Sequence, residues 1–506
     1  MFCKINSSAV QGVDGTIITV EADVSDGLPM FAMVGYLSSS VKEAGERVRT
    51  SLKNSGFHMP PKRITINLSP ADVRKDGTGF DLPIAIAILL CMGKNSKLDI
   101  SNTVIVGELG LDGCVQKIPG ILPMVYHAAK EGYEVCIVPY ENKKEAELVD
   151  GIKIVPVKNL LEAINYICTG IIDIPNDEET KDNNNLASVD FSEIRGQKVL
   201  KRGMEIAAAS MFNVLLSGAQ GSGKSMIARR LPTILPQMTF DESVEVTKIY
   251  SVSGKLDNSS SLIMQRPFRA PHHTISVKGL CGGGSIPKPG EVSLAHNGVL
   301  FLDEIAEFNK TVLEVMRQPM EDGQILISRV NGSYIFPANF MMVAAQNPCP
   351  CGNYPNMKKC TCTPNEIRKY QNKISGPLLD RIDINMQVEP VSYEDIFSMP
   401  EGEKSESIRY RVEEAVEIQK KRFADEIINY NSQLSGKLIK KYIRLGDKQE
   451  EILKKSFANM ELSARGTYRI LKIARTIADL SHNDEISSDN IKEAIFYRNN
   501  MGSVKL

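Results

Sequence analysis

The sequence has no apolar run long enough to cross a bilayer. The longest, Leu82 to Met92, is interrupted by Pro83 and stops well short of the roughly 20 residues a span requires, so no membrane segment is expected. A secretory leader is missing too: MFCKINSS is not a charged segment followed by an apolar one, which makes the cytoplasm the expected compartment. There is no excess charge of one sign. Sixty Lys plus Arg against sixty-one Asp plus Glu leave a net charge of −1, which excludes a histone-like polycation and confines any nucleic-acid contact to local clusters. No repeat with a period of about 20 to 50 residues is visible, which argues against a repeat array. What is present is ordinary globular text. The 506 residues are 42% hydrophobic and 24% charged, enough for about three domains at about 150 residues each.

Residues 173–190, DIPNDEETKDNNNLASVD, are acidic, rich in Asn and nearly free of large apolar side chains. Such a stretch cannot offset its chain entropy by burial and reads as a linker. Before it, residues 1–172 mix strand-like runs (Thr16 to Ala22, Arg63 to Leu68, Thr103 to Val106) with helical text at Val41 to Asn54, Leu82 to Met92 and Ile121 to Gly132. That mixture predicts an α/β domain. Residues 191–390 repeat strand, glycine loop and helix in the order of a parallel sheet with crossover helices. After Pro390, text such as EKSESIRYRVEEAVEIQKKRF has helical period, so 391–506 is expected to form a helical domain.

Asn213 to Ser217 is a buried-strand pattern that runs into Gly218, Ala219, Gln220, Gly221, Ser222, Gly223, Lys224 and Ser225. This matches G-x-x-x-x-G-K-[ST], with helical MIARRL behind it. Glycines let the loop's N–H groups curl around phosphates. Lys224 is expected on the β- and γ-phosphates of ATP and Ser225 on Mg²⁺. Gly298 to Glu304 supplies a second strand, apolar until it delivers Asp303 and Glu304 at its C-terminal end, where open α/β sheets bind ligands. Asp303 would complete the Mg²⁺ shell and Glu304 would polarise the attacking water. A third strand, Phe340 to Ala345, ends in Gln346 and Asn347. The Asn-Pro step reads either as a turn or as an amide beside the γ-phosphate. Arg381 lies near Asp380 and Asp383 and reads alone as a surface ion pair, although a P-loop ATPase needs a cation for the charge developing on the γ-phosphate.

Three elements carry local positive charge. Two β-rich runs around Asn331-Gly332 predict a hairpin with a type I′ turn. Arg329 near its tip is a candidate phosphate contact, and a hairpin merely packed on the sheet is the other reading. Arg266-Pro-Phe-Arg269-Ala-Pro-His272-His273, followed by Lys278 and the glycines to Gly284, forms a Gly- and Pro-rich insertion. It reads as a loop facing substrate or neighbour, since two adjacent histidines without a third ligand make a poor metal site. Residues 437–475 hold eleven Lys plus Arg against four Asp plus Glu, a solvated helical face or part of a DNA track.

Six of the ten cysteines, Cys3, Cys91, Cys114, Cys136, Cys168 and Cys281, are scattered and read as small buried hydrophobes. The other four, Cys349, Cys351, Cys360 and Cys362, form a C-x-C…C-x-C array. Residues i and i+2 of an extended segment share a face, so the two pairs could close a tetrahedral Zn²⁺ shell. Two disulfides are the alternative in an oxidising compartment.

The motifs GAQGSGKS, RPFRAPHHT, LAHNGVLFLDE, AAQNPCPCG and SGPLLDRID resemble, in order and spacing, those of the magnesium-chelatase-like AAA+ ATPases of the ComM/YifB kind. The resemblance covers essentially the whole chain. It implies a P-loop AAA+ core with an α-helical lid, in which Asn347 corresponds to sensor 1, Arg381 to an arginine finger acting on a neighbouring subunit's ATP, and Arg465 to the sensor 2 arginine. It also implies a homo-hexamer and a DNA motor, a helicase or branch-migration factor in recombination or natural transformation. Its expected partners are single-stranded or branched DNA and recombination proteins. A chelatase-type motor that remodels a protein partner for metal insertion, and a regulatory ATPase without DNA substrate, are the alternatives. The N-terminal domain resembles the Lon protease domain, with its ribosomal S5 domain 2-like α/β fold. Gly79, however, stands where the nucleophile falls in Lys75-Asp76-Gly77-Thr78-Gly79, and Leu122 stands near the position of the general-base Lys. Without either group there is no acyl transfer, and a scaffold or DNA-contacting role is expected.

Overall fold

Alternating apolar residues pair β1 (Phe2–Gln11) with β2 (Asp14–Ser25) as an antiparallel hairpin about the two-residue turn Gly12–Val13. With β3 (Met30–Val34), β4 (Arg63–Ser69), β5 (Thr103–Ile105), β8 (Val135–Pro139) and β9 (Lys153–Val157) they make a seven-stranded mixed sheet, ordered β3-β4-β2-β1-β5-β8-β9. The short β6 (Glu108–Leu109) and β7 (Val115–Gln116) form a separate ribbon. The apolar run that is too short for a membrane is the central helix Asp81–Cys91, buried at nearly every position as a helix apolar all round must be. It packs on one face of the sheet with the helices Ala44–Asn54 and Leu160–Thr169. The helix Ile121–Lys130 covers the other face. Among the described residues no helix is long and apolar enough to cross a membrane.

This is a computed structural model, which describes all residues except 95, 97–98, 173–188, 257–261, 285–286, 330–331, 355, 391–401, 460–462 and 500–506. The expected linker falls outside the described residues but for 189–190, as does the start of the helical segment after Pro390.

The second sheet is parallel and five-stranded. Its members are β10 (Val214–Gly218), β11 (Phe268–Arg269), β14 (Val299–Leu302), β17 (Met341–Gln346) and β18 (Ile384–Val388), in the order β11-β14-β17-β10-β18. β12 (Gly282–Gly283) and β13 (Lys288–Pro289) form a small ribbon inside the glycine-rich insertion. β15 (Gln324–Arg329) and β16 (Gly332–Pro337) form the expected hairpin. Gly332 pairs with Arg329 as a strand residue, and the expected Asn331-Gly332 turn lies partly outside the described residues.

The chain division near residue 390 is not a division of the core. The C-terminal helices Ser405–Arg422, Ala464–Leu480 and Ser488–Asn499 share one apolar cluster with the helix Lys198–Ser210 and with the sheet residues Val214, Leu216, Val343 and Met386. The opposite face of the sheet, Leu215, Leu300, Leu302 and Ala344, packs on the hairpin and on the helix Lys310–Val315. Both faces of a parallel sheet are covered, as its near-continuous apolar strands require.

Candidate nucleotide site

β10 ends in the P-loop, and β18 runs parallel beside it with Gly218 opposite Val388. A Cβ on Gly218 would stand 2.4 Å from the Val388 carbonyl oxygen, so only glycine admits this approach. Lys224 opens the next helix and turns back into the loop. Its ammonium donates to the carbonyls of Gly218 (2.7 Å) and Ala219 (2.8 Å) and to the Asn347 side-chain oxygen (3.2 Å). Burial lowers the Lys224 pKa, and the carboxylates of Asp303 and Glu304 oppose that effect.

β14 delivers Asp303, whose Oδ2 accepts from Ser225 Oγ at 2.7 Å while its Oδ1 accepts from the Glu304 N–H at 3.0 Å. A hydroxyl and a carboxylate held together are hard oxygen donors of the kind Mg²⁺ takes, so the donor set fits the ion that accompanies ATP. Glu304 follows with φ near +50°, a conformation uncommon outside glycine that collects at functional turns. On the third strand Gln346 donates to Ser217 Oγ at 2.8 Å and ties β17 to β10. Asn347 thereby reaches Lys224. The structure brings Lys224, Ser225, Asp303, Glu304 and Asn347 together at the end of the strands.

Arg381 and Arg465 lie elsewhere. Arg381 precedes β18, and its carbonyl accepts from Asn213 Nδ2 at 3.2 Å, at the start of β10. That is the end of the strands away from the P-loop, about 13 Å along them at about 3.3 Å per residue. There the Arg381 guanidinium meets Glu321 at 2.5 Å and the Pro377 carbonyl at 2.7 Å. Arg465 approaches the same Glu321 carboxylate at 4.0 Å and is largely exposed. Neither arginine stands beside the chain's own P-loop. Glu321, which no motif singles out, is where the two converge.

The four cysteines fold into one knot directly after Asn347. The Sγ atoms of Cys349, Cys351 and Cys360 lie 3.4, 3.8 and 3.6 Å apart pairwise, and with Cys362 all four fall within 4.8 Å of one another. Corners of a Zn–S tetrahedron with bonds of about 2.3 Å are about 3.8 Å apart. The Tyr354 N–H points at Cys349 Sγ (3.4 Å), and the backbone N–H groups of Asn353 and Thr361 lower the Cys351 thiol to about 5, whereas Cys360 and Cys362 are raised, the backbone N–H groups that lower them being outweighed by desolvation and the bonds to Cys351 and Cys349. A thiolate stabilised as at Cys351 is the form a metal binds. Of the six scattered cysteines Cys91, Cys136 and Cys281 are buried as expected, but Cys3 and Cys168 are half-buried and Cys114 is exposed, in a surface bridge to Asn159 just before β7.

The positively charged elements are thinned by ion pairs that sequence alone does not reveal. Arg266 is buried, with its guanidinium on the Pro236 and Asn297 carbonyls and Glu242. Arg269 is spent on Glu291 through two bonds of 2.6 and 2.8 Å. In the basic helical stretch Lys437, Lys440, Arg444 and Lys448 stay exposed, whereas Arg469 pairs with Asp383, Lys472 donates to the Ser432 carbonyl and Arg475 pairs with Asp479. The apolar side of the helix Ala464–Leu480 faces the core and carries these cations inward. Lys278 and Arg329 remain exposed, and they converge. A Cβ on Gly283 would stand 3.4 Å from Arg329 Nη2 and 3.8 Å from Lys278 Cγ. His272 and His273 stack with ring centroids 4.0 Å apart, and among the described residues only the cysteine knot groups three or more metal-binding side chains.

In the N-terminal domain glycine stands at the position expected for the Lon-like nucleophile. A Cβ at Gly79 would meet Ile118 at 3.1 Å, Lys75 is buried with its ammonium on the Pro70 carbonyl, and Leu122 lies in the apolar cluster with Ile118.

Comparison with known proteins gives three matches to magnesium chelatase families. "Magnesium chelatase, subunit ChlI" matches residues 190–396, "Subunit ChlI of Mg-chelatase" residues 20–142, and "Magnesium chelatase, subunit ChlI C-terminal" residues 402–498. Competence protein ComM of Haemophilus influenzae is 40% identical over 503 residues, covering 98% of this chain and 97% of that protein. The uncharacterized protein YifB of Escherichia coli is 38% identical over 496 residues, 98% and 96%. Lon protease 2 of Bacillus subtilis is 29% identical over 182 residues, 32% of each chain.

Proposed function

The chain belongs to the magnesium-chelatase-related AAA+ family of Competence protein ComM and YifB, and from this premise we propose that it is an ATP-driven hexameric DNA motor acting in recombination or natural transformation. The observation that carries the reading is the constellation of Lys224, Ser225, Asp303, Glu304 and Asn347 around one loop. Lys224 neutralises the β- and γ-phosphates, Ser225 and Asp303 hold Mg²⁺, Glu304 orients and polarises the attacking water, and Asn347 fixes both Lys224 and the γ-phosphate side of the site. Arg381 and Arg465, far from their own P-loop, serve the ATP of a neighbouring subunit, which makes hydrolysis depend on a closed ring. The cysteine knot holds a structural Zn²⁺. Lys278 and Arg329 grip DNA phosphates, and the site of action is the cytoplasm, alongside other recombination proteins.

The family description itself favours one other reading, a chelatase-type motor that remodels a protein partner for metal insertion. Turnover of ATP with and without single-stranded and forked DNA separates them. DNA stimulation, with an affinity that falls as salt rises, supports the DNA motor. Turnover indifferent to DNA, with no salt-dependent binding, overturns it and leaves the protein-remodelling or purely regulatory ATPase.

A further inference from the structure

The Lon-like domain has no chemistry of its own, yet it touches the one hairpin that the proposed motor would use on its substrate. The β1–β2 turn makes the contact. Gly12 has φ near +70°, and a Cβ there would lie 3.1 Å from the Ile335 carbonyl oxygen of β16, so turn and hairpin meet backbone to backbone. Val13 beside it is buried in the same apolar cluster as Ile325, Ile327 and Phe336 of the hairpin, and among the described residues it is the only member of that cluster from the N-terminal domain. Asp14 then pairs with Lys248 at 3.7 Å, whose ammonium also stands 3.7 Å from the centre of the Tyr126 ring. The helix carrying Lys248 is bonded to the domain a second time, through Ser251 Oγ to Glu145 and the Gly120 N–H to the Ser251 carbonyl (3.2 Å). The turn is therefore clamped between the ATPase core and the hairpin.

The former protease turn adds charge on the same side: Tyr334 of β16 lies within electrostatic reach of Asp76, Arg74 and Tyr36, and Arg74 and Asp76 hold each other at 3.1 Å. A two-stranded hairpin is marginal by itself, and its outer face, Leu326 and Ile335, is exposed. Its inner face and the Gly12–Val13 turn are what fix its height and tilt.

We infer that the N-terminal domain is the positioning element of the β15–β16 hairpin, with the Gly12–Val13 turn as its seat, and that it sets where Arg329 and Lys278 present their charge to a nucleic-acid phosphate. The inference rests on the reading of this hairpin as the DNA contact. Val13 is a positioning residue, touching neither ATP nor DNA.

The test uses the full-length chain. Val13→Asp places a carboxylate in the apolar seat, and Asp76→Ala removes a charge within electrostatic reach of Tyr334 without entering the core. Each is expected to weaken binding of a fluorescent single-stranded oligonucleotide about tenfold, the equivalent of one charge-assisted contact. The salt slope should fall by about one, and the KM for ATP should stay within about twofold. The chain has no tryptophan, so Tyr334→Trp gives a single reporter. Its emission should be shielded from acrylamide in the parent and opened to it when combined with Val13→Asp or Asp76→Ala.

Unchanged oligonucleotide affinity in both variants overturns the inference. So does a reporter equally shielded in all backgrounds. Arg329→Ala, measured alongside, keeps the two claims apart. If it weakens DNA binding while the seat variants do not, the seat is wrong and the DNA contact stands. If Arg329→Ala leaves DNA binding unchanged, the hairpin is not the DNA contact, and the inference falls with that reading. Should Val13→Asp fail to fold, Asp76→Ala and the milder Val13→Ala decide by the same readouts.

Discussion

Gly352 of the cysteine knot lies against Gln220 of the P-loop: a Cβ added at Gly352 would be 3.6 Å from both the Gln220 Cβ and its backbone nitrogen. The knot follows Asn347 by two residues and so touches the nucleotide loop from a second side. Purified reduced protein should carry about one equivalent of zinc per chain, and Cys351→Ser should lose it. If the knot props the loop, loss of the metal lowers ATP affinity by about tenfold. Elemental analysis and titration with a fluorescent nucleotide check both. Reduced wild-type protein free of zinc would sink the metal assignment, and equal nucleotide affinity in Cys351→Ser would sink the prop.

Glu304 and Lys224 separate binding from turnover. Lys224→Met deletes the charge that meets the phosphates and should abolish measurable ATP binding. Glu304→Gln keeps the shape of the site and should bind ATP normally while turnover falls by about a hundredfold or more. A Glu304→Gln protein that still hydrolyses ATP at the parental rate moves the general base elsewhere.

The shared approach of Arg381 and Arg465 to Glu321, at the far end of the strands from the P-loop, predicts complementation between dead subunits. Arg381→Ala alone should lower turnover about a thousandfold or more, and Lys224→Met alone should be inactive. Mixed together, the two should regain part of the activity, because a ring then contains interfaces with one intact P-loop facing one intact arginine. Mixtures as inactive as their components argue that the arginines do not act across an interface.

Lys224 also makes a signed prediction about pH. Burial lowers its pKa in the folded, nucleotide-free chain, whereas the unfolded chain titrates near about 10.4. Between the lowered value and about 10.4 the unfolded state binds more protons, so stability rises with pH through that window. Below it both states are protonated and the contribution is constant. ATP affinity runs the other way, falling as pH rises and the ammonium is lost. Urea unfolding and nucleotide titration across alkaline pH should show both slopes in wild type, and urea unfolding should show no such slope in Lys224→Met. If the unfolding slope persists in the variant, another group is responsible.

Local pattern and tertiary assembly contributed differently to these conclusions. The P-loop, the Asp303-Glu304 strand end and the cysteine array were readable because each is a short stretch whose backbone conformation and chemistry are set by its own residues. The core helix Asp81–Cys91 was readable for the same reason, as continuous apolar text between turns. The positive charge of Arg266, Arg269, Arg469 and Arg475 was readable as composition and misleading as surface. Their partners Glu242, Glu291, Asp383 and Asp479 are contributed by other turns of the fold, and whether a charge reaches solvent depends on what packs beside it.

The P-loop motif, the family and the glycine at position 79 were thus legible from the sequence, because all three reside in residue identity at fixed spacing. Only the tertiary structure decided that Arg381 and Arg465 meet at Glu321, that Lys278 joins Arg329 beside Gly283, and that Gly12 and Val13 seat a hairpin more than three hundred residues away. Those relations are made by packing between segments distant in the chain, where neither propensity nor period carries any information about the partner.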